Sequence, residues 1–253
     1  HLLGPAIAAA MFHLITHAFF KALLFLAAGN VMHAMGDVID LRRISGLAQV
    51  LPMTRWLFLI GAMALAGLPP LAGFWSKDSV LAVISDATHA PGGILYRLIF
   101  AVTIVVSFLT ALYSCRAYLA TFHGKEMIPP EAGHHPHEAH PTMLTVMGLL
   151  AIGSIGAGFV LGWPHAVERL LGQMTIFESE HAHEEPWGLI ILSTIISLAG
   201  IGTAFATRNV LPMSPLSSSL WSHGQSVGLR RLFIDETYFR WIVQPVKGFA
   251  QVC

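Results

Sequence analysis

Residues 56–87 read WLFLIGAMALAGLPPLAGFWSKDSVLAVISDA and carry no charged side chain before Lys77. A transmembrane helix needs about 20 mostly apolar residues, because about 30 Å of hydrocarbon is crossed at about 1.5 Å per residue. The stretch is long enough, but Pro69 and Pro70 each remove a backbone donor and clash with the preceding turn. It therefore predicts a membrane segment that is interrupted around residues 68–72.

Four further apolar stretches are long enough to cross a membrane. Of the 253 residues, 55% are hydrophobic and only 11% are charged, whereas soluble domains carry about 25% charged residues. This composition excludes a typical soluble enzyme, a disordered chain and a basic nucleic-acid binder. A soluble helical bundle would need helices with charged outer faces, which these spans lack. The sequence thus predicts an all-α, polytopic membrane protein with about five transmembrane helices, one of them discontinuous; the other four are residues 3–31, 98–115, 142–163 and 187–207.

The basic residues between the spans predict the orientation of the chain. Ten Lys and Arg residues fall in the connections after the first and third spans and in the tail, against two in the other connections. Cytoplasmic loops are enriched in Lys and Arg, so these segments should share the cytoplasmic side. We therefore expect a transmembrane domain over residues 1–207 and a cytoplasmic-side tail over residues 208–253. Because neither end resembles a natural terminus, we also expect the chain to be part of a longer membrane protein.

The first span, MFHLITHAFFKALLFLAAG (residues 11–29), contains a stripe of polar side chains. His13, His17 and Lys21 recur every four residues and lie within an arc of about 80° on a helix. A lysine at the bilayer centre costs about 2.5–3.5 kcal/mol on insertion scales, so it implies an aqueous cavity or a polar partner. Histidine and buried lysine can both hold and pass protons. The stripe indicates either proton conduction or structural polar contacts.

Lys77 and Asp78 follow the interruption of the second span directly. Broken helices at membrane depth are tolerated where the freed backbone lines a cavity or is buried in protein, and they often mark an ion site. The pair therefore indicates a buried functional site. The alternative is that both side chains simply reach the far membrane interface, and the spacing alone does not distinguish the two interpretations.

We expect no metal or cofactor in this chain. The loop after the third span contains a cluster of histidines, but it is rich in proline and has no cysteine, which favours a solvated loop over a zinc site. There is no cysteine cluster and no glycine-rich nucleotide motif, so any redox chemistry must occur in other subunits. The clustered histidines are His134, His135, His137 and His140.

Several of these segments together resemble the subunit L family of respiratory complex I, the NADH:quinone oxidoreductase, called subunit 5 in mitochondria. They are distributed along most of the chain, from residue 13 to residue 248, and are specific as a set. The segments are HLITHAFFKALLFLAAG (13–29), ALAGLPPLAGFWSKDSVL (64–81), FLTALYSCRAYLATFHG (108–124), HEAHPTM (137–143) and FIDETYFRWIVQPVKG (233–248).

The resemblance implies a proton-translocating subunit that holds the second half of an antiporter-like channel, without a redox centre of its own. Quinone reduction in other subunits would drive the translocation, and the chain would be part of a translocase enzyme in the bacterial inner membrane or its organellar equivalent. By motif match, His13, His17 and Lys21 correspond to the central proton path, and Lys77 with Asp78 to its output half-channel. We expect the two histidines on one side of Lys21 and Lys77 on the other.

The resemblance also implies that the tail begins a long amphipathic lateral helix lying along the adjacent antiporter-like subunits of complex I. From about Asp235, its helical spacing predicts an apolar face of Phe239, Ile242, Val246 and Phe249. The expected partners are these membrane subunits and the lipid bilayer, with no nucleic acid.

Other assignments share part of the pattern. A subunit of a multi-subunit cation/proton antiporter has the same histidine–lysine helix and broken helix, and a membrane-bound hydrogenase or formate-oxidising complex is a further alternative. The segment at residues 233–248 favours complex I over both. A purely structural membrane scaffold would leave Lys21 unexplained.

The predicted orientation can be tested by thiol labelling of intact cells. In a background lacking Cys115 and Cys253, an impermeant reagent should label His181→Cys and not His135→Cys, because the loop with more basic residues is expected in the cytoplasm. Labelling at position 135 without labelling at position 181 would reverse the assignment.

Overall fold

A computed structural model describes residues 3–89, 93–133, 136–162, 187–207, 238–245 and 247. These residues form α-helices joined by short connections, with no strand beyond an isolated bridge between Ser45 and Met127. Contacts divide the chain into two units, residues 1–208 and 209–253. The α-helices of the first unit are α1 (Leu3–Ala34), α2 (Pro52–Ala66), α3 (Ala72–Ala87), α4 (Ile94–Phe122), α5 (Pro141–Gly162) and α6 (Trp187–Thr207).

Four of these helices, α1, α4, α5 and α6, are long and apolar enough to cross a membrane, and α2 is a shorter apolar helix. Their outer faces carry large apolar side chains: Leu98 is 60% exposed, Leu149 64% and Ile152 68%. Such faces suit hydrocarbon and explain why the composition holds so few charges. The predicted all-α membrane fold is confirmed.

The helix ends differ from the predicted spans. α1 continues to Ala34 rather than ending near Val31, and α4 covers Ile94–Phe122 rather than residues 98–115. Hydropathy locates only the apolar part of a helix. The helix itself continues as long as its backbone hydrogen bonds are favourable. Lys21 therefore lies further from the end of its helix than the sequence indicated.

The predicted interruption of the second span is confirmed between α2 and α3. Gly67 takes a left-handed conformation at φ 79°, which glycine adopts without strain. Its N–H donates to the Ala64 carbonyl at 3.1 Å, and the N–H of Leu68 donates to the Met63 carbonyl at 3.1 Å. These two bonds are a Schellman motif, after which α3 begins at Ala72.

The broken pair α2–α3 occupies the middle of the helical unit. α1 packs against α2, α3 and α5, while α4 packs against α2, α3 and α6. The break is therefore enclosed by helices on both sides, where freed backbone groups can find partners within the protein.

The connection between α1 and α2 packs into the core instead of extending into solvent. Ile44 and Leu47 are almost fully buried beside Phe122 of α4. Arg43 donates to Glu131 at 2.6 Å, and this hydrogen bond and charge hold the pKa of the Glu131 carboxyl below its ordinary value. The connections after α1 and α4 thus meet at one end of the bundle, although the side of the membrane on which they lie stays a prediction.

Glu138, from the histidine-rich loop, caps the N-terminus of α2. Its carboxylate accepts from the backbone N–H of Met53 at 2.9 Å and of Thr54 at 3.2 Å. It also accepts from the Asn30 amide at 3.0 Å and from the Thr54 hydroxyl. Asn30 and Thr54 are fully buried. A helix N-terminus has unpaired N–H groups and attracts a carboxylate.

This cap gives the loop a structural role that the sequence did not predict. His137 and His140 are exposed, as a solvated loop requires, but Glu138 between them is only partly exposed. His134 and His135 lie outside the described residues.

The described part of the tail is helical, with a π-helical turn at Phe239–Val243. Phe239 and Ile242 are each about half exposed within this chain. Asp235, Val246 and Phe249 lie outside the described residues, so the lateral helix and its apolar face stay predictions, as does the boundary between residues 207 and 208.

The cap at Glu138 predicts a measurable loss of stability. Glu138→Ala should lower the free energy of unfolding by about 1–3 kcal/mol, because buried donors of Asn30 and Thr54 lose their acceptor. Thermal unfolding of the detergent-purified protein measures the change. Glu126→Ala, at an exposed position in the same loop, is the control, and equal effects of the two substitutions would contradict the cap.

Candidate functional site

The polar stripe on α1 lies on one face of the helix, as its spacing predicts. His13, His17 and Lys21 are all partly buried. The ring centroids of His13 and His17 are 5.6 Å apart, and His17 meets the ring of Phe20 edge-on at 5.2 Å. The three side chains therefore form a continuous polar surface next to aromatic and apolar residues.

A cavity of about 310 Å³ joins this stripe to the broken helix. His13, His17 and Lys21 line it together with Lys77 of α3. This volume is large enough to hold several water molecules. The remaining polar lining comes from α4: Thr103, Ser107, Thr110 and Tyr113.

This arrangement corrects one expectation. The sequence placed the histidines and Lys77 on opposite sides of Lys21, but all four side chains line the same cavity. Because the helix is broken, α3 packs beside α1, and Lys77 faces the polar stripe of α1.

Ser76 connects α3 to α1 by two hydrogen bonds. Its hydroxyl lies 3.0 Å from Nδ1 of His13 and accepts from the Thr16 hydroxyl at 2.8 Å. Thr16 and Ser76 are fully buried. These bonds hold Ser76, the residue next to Lys77, against the polar stripe of α1. Sequence reasoning missed both residues, because a hydroxyl in an apolar helix gives no periodic signal.

The Lys77 side chain closes the C-terminal end of α2. Its Nζ donates to the backbone carbonyl of Ala66 at 3.3 Å. In an unbroken helix this carbonyl would accept from residue 70, but Pro70 has no N–H. The C-terminus of a helix also carries partial negative charge, which favours a cation there. The sequence break and the lysine are therefore two parts of one local structure.

Asp78 points away from the cavity lining toward α6. Its Oδ1 accepts from the Ser193 hydroxyl at 2.6 Å. One turn along α6, Ser197 donates to the same Ala66 carbonyl that Lys77 contacts, at 2.9 Å. The structure thus brings together four of the five predicted site residues in one cavity and places Asp78 beside α6. Neither serine was predicted from the sequence, although their spacing of four residues in an apolar span is a weak signal.

A second cavity, of about 190 Å³, lies further along α1. Lys21 lines both cavities, as do Leu65 and Tyr113. The second cavity extends to Ala28 of α1 and Ala117 of α4. Lys21 therefore lies between two spaces, one shared with Lys77 and the other extending toward Ala28 and Ala117.

Comparison with known proteins identifies the fold's family. Residues 4–115 match the family described as "NADH:quinone oxidoreductase/Mrp antiporter, TM". The matched part of the chain belongs to this family. The matched residues include α1, the broken pair α2–α3 and most of α4, so they contain every residue of the candidate site except the α6 serines.

Curated proteins named NADH-quinone oxidoreductase subunit L are similar over most of the chain. NADH-quinone oxidoreductase subunit L of Mycobacterium tuberculosis is 38% identical over 213 residues, covering 83% of this chain and 33% of the relative. Subunit L of Campylobacter jejuni is 45% identical over 200 residues, covering 79% and 31%. The chain therefore spans about a third of the length of these relatives.

A solved structure of the Mrp complex from Dietzia sp. DQ12-45-1b has the same fold. The TM-score is 0.55 at 22% identity, and the match covers 98% of this chain and 27% of the other. At this identity the likeness concerns the fold alone.

The close approach of α3 to α2 predicts that Gly73 cannot be enlarged. A Cβ at this position would overlap the backbone carbonyl of Ala64. Gly73→Ala should therefore destabilise the protein by about 1–3 kcal/mol, as overpacking does, and displace Lys77. Gly156→Ala in α5 is the matched control, since nothing lies within 4 Å of its Cβ position. Thermal unfolding measures the stability of both variants. Equal stabilities would contradict the close approach of α3 to α2.

Proposed function

We propose that this chain is part of a proton-translocating membrane subunit of an NADH:quinone oxidoreductase. The observation that carries the proposal is the single cavity that Lys21, His17, His13 and Lys77 line together. Membrane-embedded ionisable groups are expensive to maintain, and they mark ion pathways when they face an internal cavity. Its relatives named subunit L support the same assignment.

The site moves protons without redox chemistry of its own. Water in the cavity and the two imidazoles carry protons between the lysines, since an imidazole can accept a proton on one nitrogen and donate from the other. Two ammonium groups facing one cavity repel each other, so a proton on Lys21 disfavours a proton on Lys77. The Ala66 carbonyl and the C-terminus of α2 favour the charged form of Lys77 at the break. A change of charge at one lysine therefore drives proton release at the other.

In this proposal, quinone reduction in other subunits supplies the energy for proton transfer, and this chain contains no redox centre. Its partners are the other membrane subunits of the complex, with the lateral helix lying along the adjacent antiporter-like subunits, and the surrounding lipid bilayer. The membrane is the bacterial inner membrane or its organellar equivalent. A cation/proton antiporter remains the alternative, because the family description includes both kinds of protein.

The proposal predicts that both lysines are required. In the full-length subunit within the assembled complex, Lys21→Ala and Lys77→Ala should each lower proton translocation at least about tenfold, which equals about 1.4 kcal/mol in a barrier. Lys21→Arg should also impair it, because a guanidinium does not release its proton in this range. NADH oxidation and proton translocation are measured on the same preparation.

Lys125→Ala, at an exposed loop position, is the control for loss of a lysine. Normal translocation by Lys21→Ala would refute the role of that residue. Translocation that depends on sodium, and proceeds without NADH oxidation, would favour the antiporter alternative.

A further inference from the structure

α6 contacts the broken helix at two polar points, one on each side of the break. Ser197 donates to the Ala66 carbonyl at the end of α2, and Ser193 donates to Asp78 on α3. Both serines are buried. Residues four apart share one face of a helix, so α6 presents both hydroxyls to the break at once.

The Ala66 carbonyl has two donors in place of the amide that Pro70 lacks. One is the Lys77 ammonium at 3.3 Å and the other is the Ser197 hydroxyl at 2.9 Å. A carbonyl oxygen has two lone pairs and can accept both. Only one of the donors can change its charge, because serine does not titrate.

This difference between the two donors matters when Lys77 gives up its proton. A neutral amine donates more weakly than an ammonium, and a buried carbonyl left without a donor is costly. Ser197 keeps the Ala66 carbonyl paired in either state of Lys77. The lysine can therefore leave the carbonyl and return to it without disrupting the end of α2.

We propose that Ser193 and Ser197 are positioning residues that keep the break in place while Lys77 exchanges its proton. This inference rests on the proposed function, in which Lys77 carries a proton. Ser197 supplies the permanent donor to Ala66, and Ser193 holds one carboxylate oxygen of Asp78, the residue adjacent to Lys77. α6 has no titratable side chain of its own. It therefore affects the proton path by holding the broken helix in place.

Hydroxyl-deletion variants in the assembled complex test this role. Ser197→Ala should lower the number of protons translocated per NADH oxidised about fivefold or more, as expected for loss of a hydrogen bond to a buried carbonyl. Ser193→Ala should lower it less, since Asp78 does not line the cavity. Both should assemble at normal levels, because removing a hydroxyl leaves the packing of α6 unchanged.

Ser154→Ala in α5 is the matched control. Ser154 is fully buried like Ser197, but its hydroxyl donates to Leu150 of its own helix. It should keep normal translocation. Ser197→Thr, which retains a hydroxyl, should restore most of the activity that Ser197→Ala loses, whereas equal losses by the two variants would overturn the role of the hydroxyl.

Failure of this inference can be separated from failure of the proposed function by including Lys77→Ala. If Lys77→Ala abolishes translocation while Ser197→Ala behaves like Ser154→Ala, the serine role is wrong and the proton path stands. If Lys77→Ala translocates normally, both proposals are wrong. Loss of assembly with Ser197→Ala would show a structural role and overturn the positioning role.

Discussion

The arrangement of the site depends on one backbone carbonyl that has lost its normal partner. Pro70 has no N–H, so the Ala66 carbonyl at the end of α2 must find other donors inside the membrane. It accepts from Lys77 and Ser197, which belong to different helices. A lysine is tolerated at this depth because the break offers an acceptor and the end of a helix dipole.

The remaining packing keeps that carbonyl accessible to these donors and closed to lipid. Gly73 lets α3 approach α2, and Ser76 fixes α3 against the α1 stripe. α1 covers one side of the broken pair and α6 reaches it from the other. Small side chains and hydroxyls make these contacts, as is usual where transmembrane helices meet without a hydrophobic driving force.

Much of this was predictable from local sequence. The proline pair predicts the break, and the four-residue spacing of His13, His17 and Lys21 predicts one polar face, because both follow from geometry within a single helix. Contacts between distant segments were not predictable in this way. Glu138 and Thr54 are 84 residues apart, and Ser193 and Asp78 are 115 apart. Neither pair has a periodic pattern, and which side of Lys21 faces Lys77 depends on how the helices pack.

α2 is held at both ends by ionisable side chains from elsewhere in the fold. The Glu138 carboxylate caps its positive end and the Lys77 ammonium closes its negative end. Fifteen residues of helix separate the two groups, about 22 Å at the helical rise. α2 is therefore a rigid connection between a loop at the end of the bundle and a charged group in the membrane interior. A displacement of that loop along the axis of α2 would therefore also move the Ala66 carbonyl that Lys77 contacts.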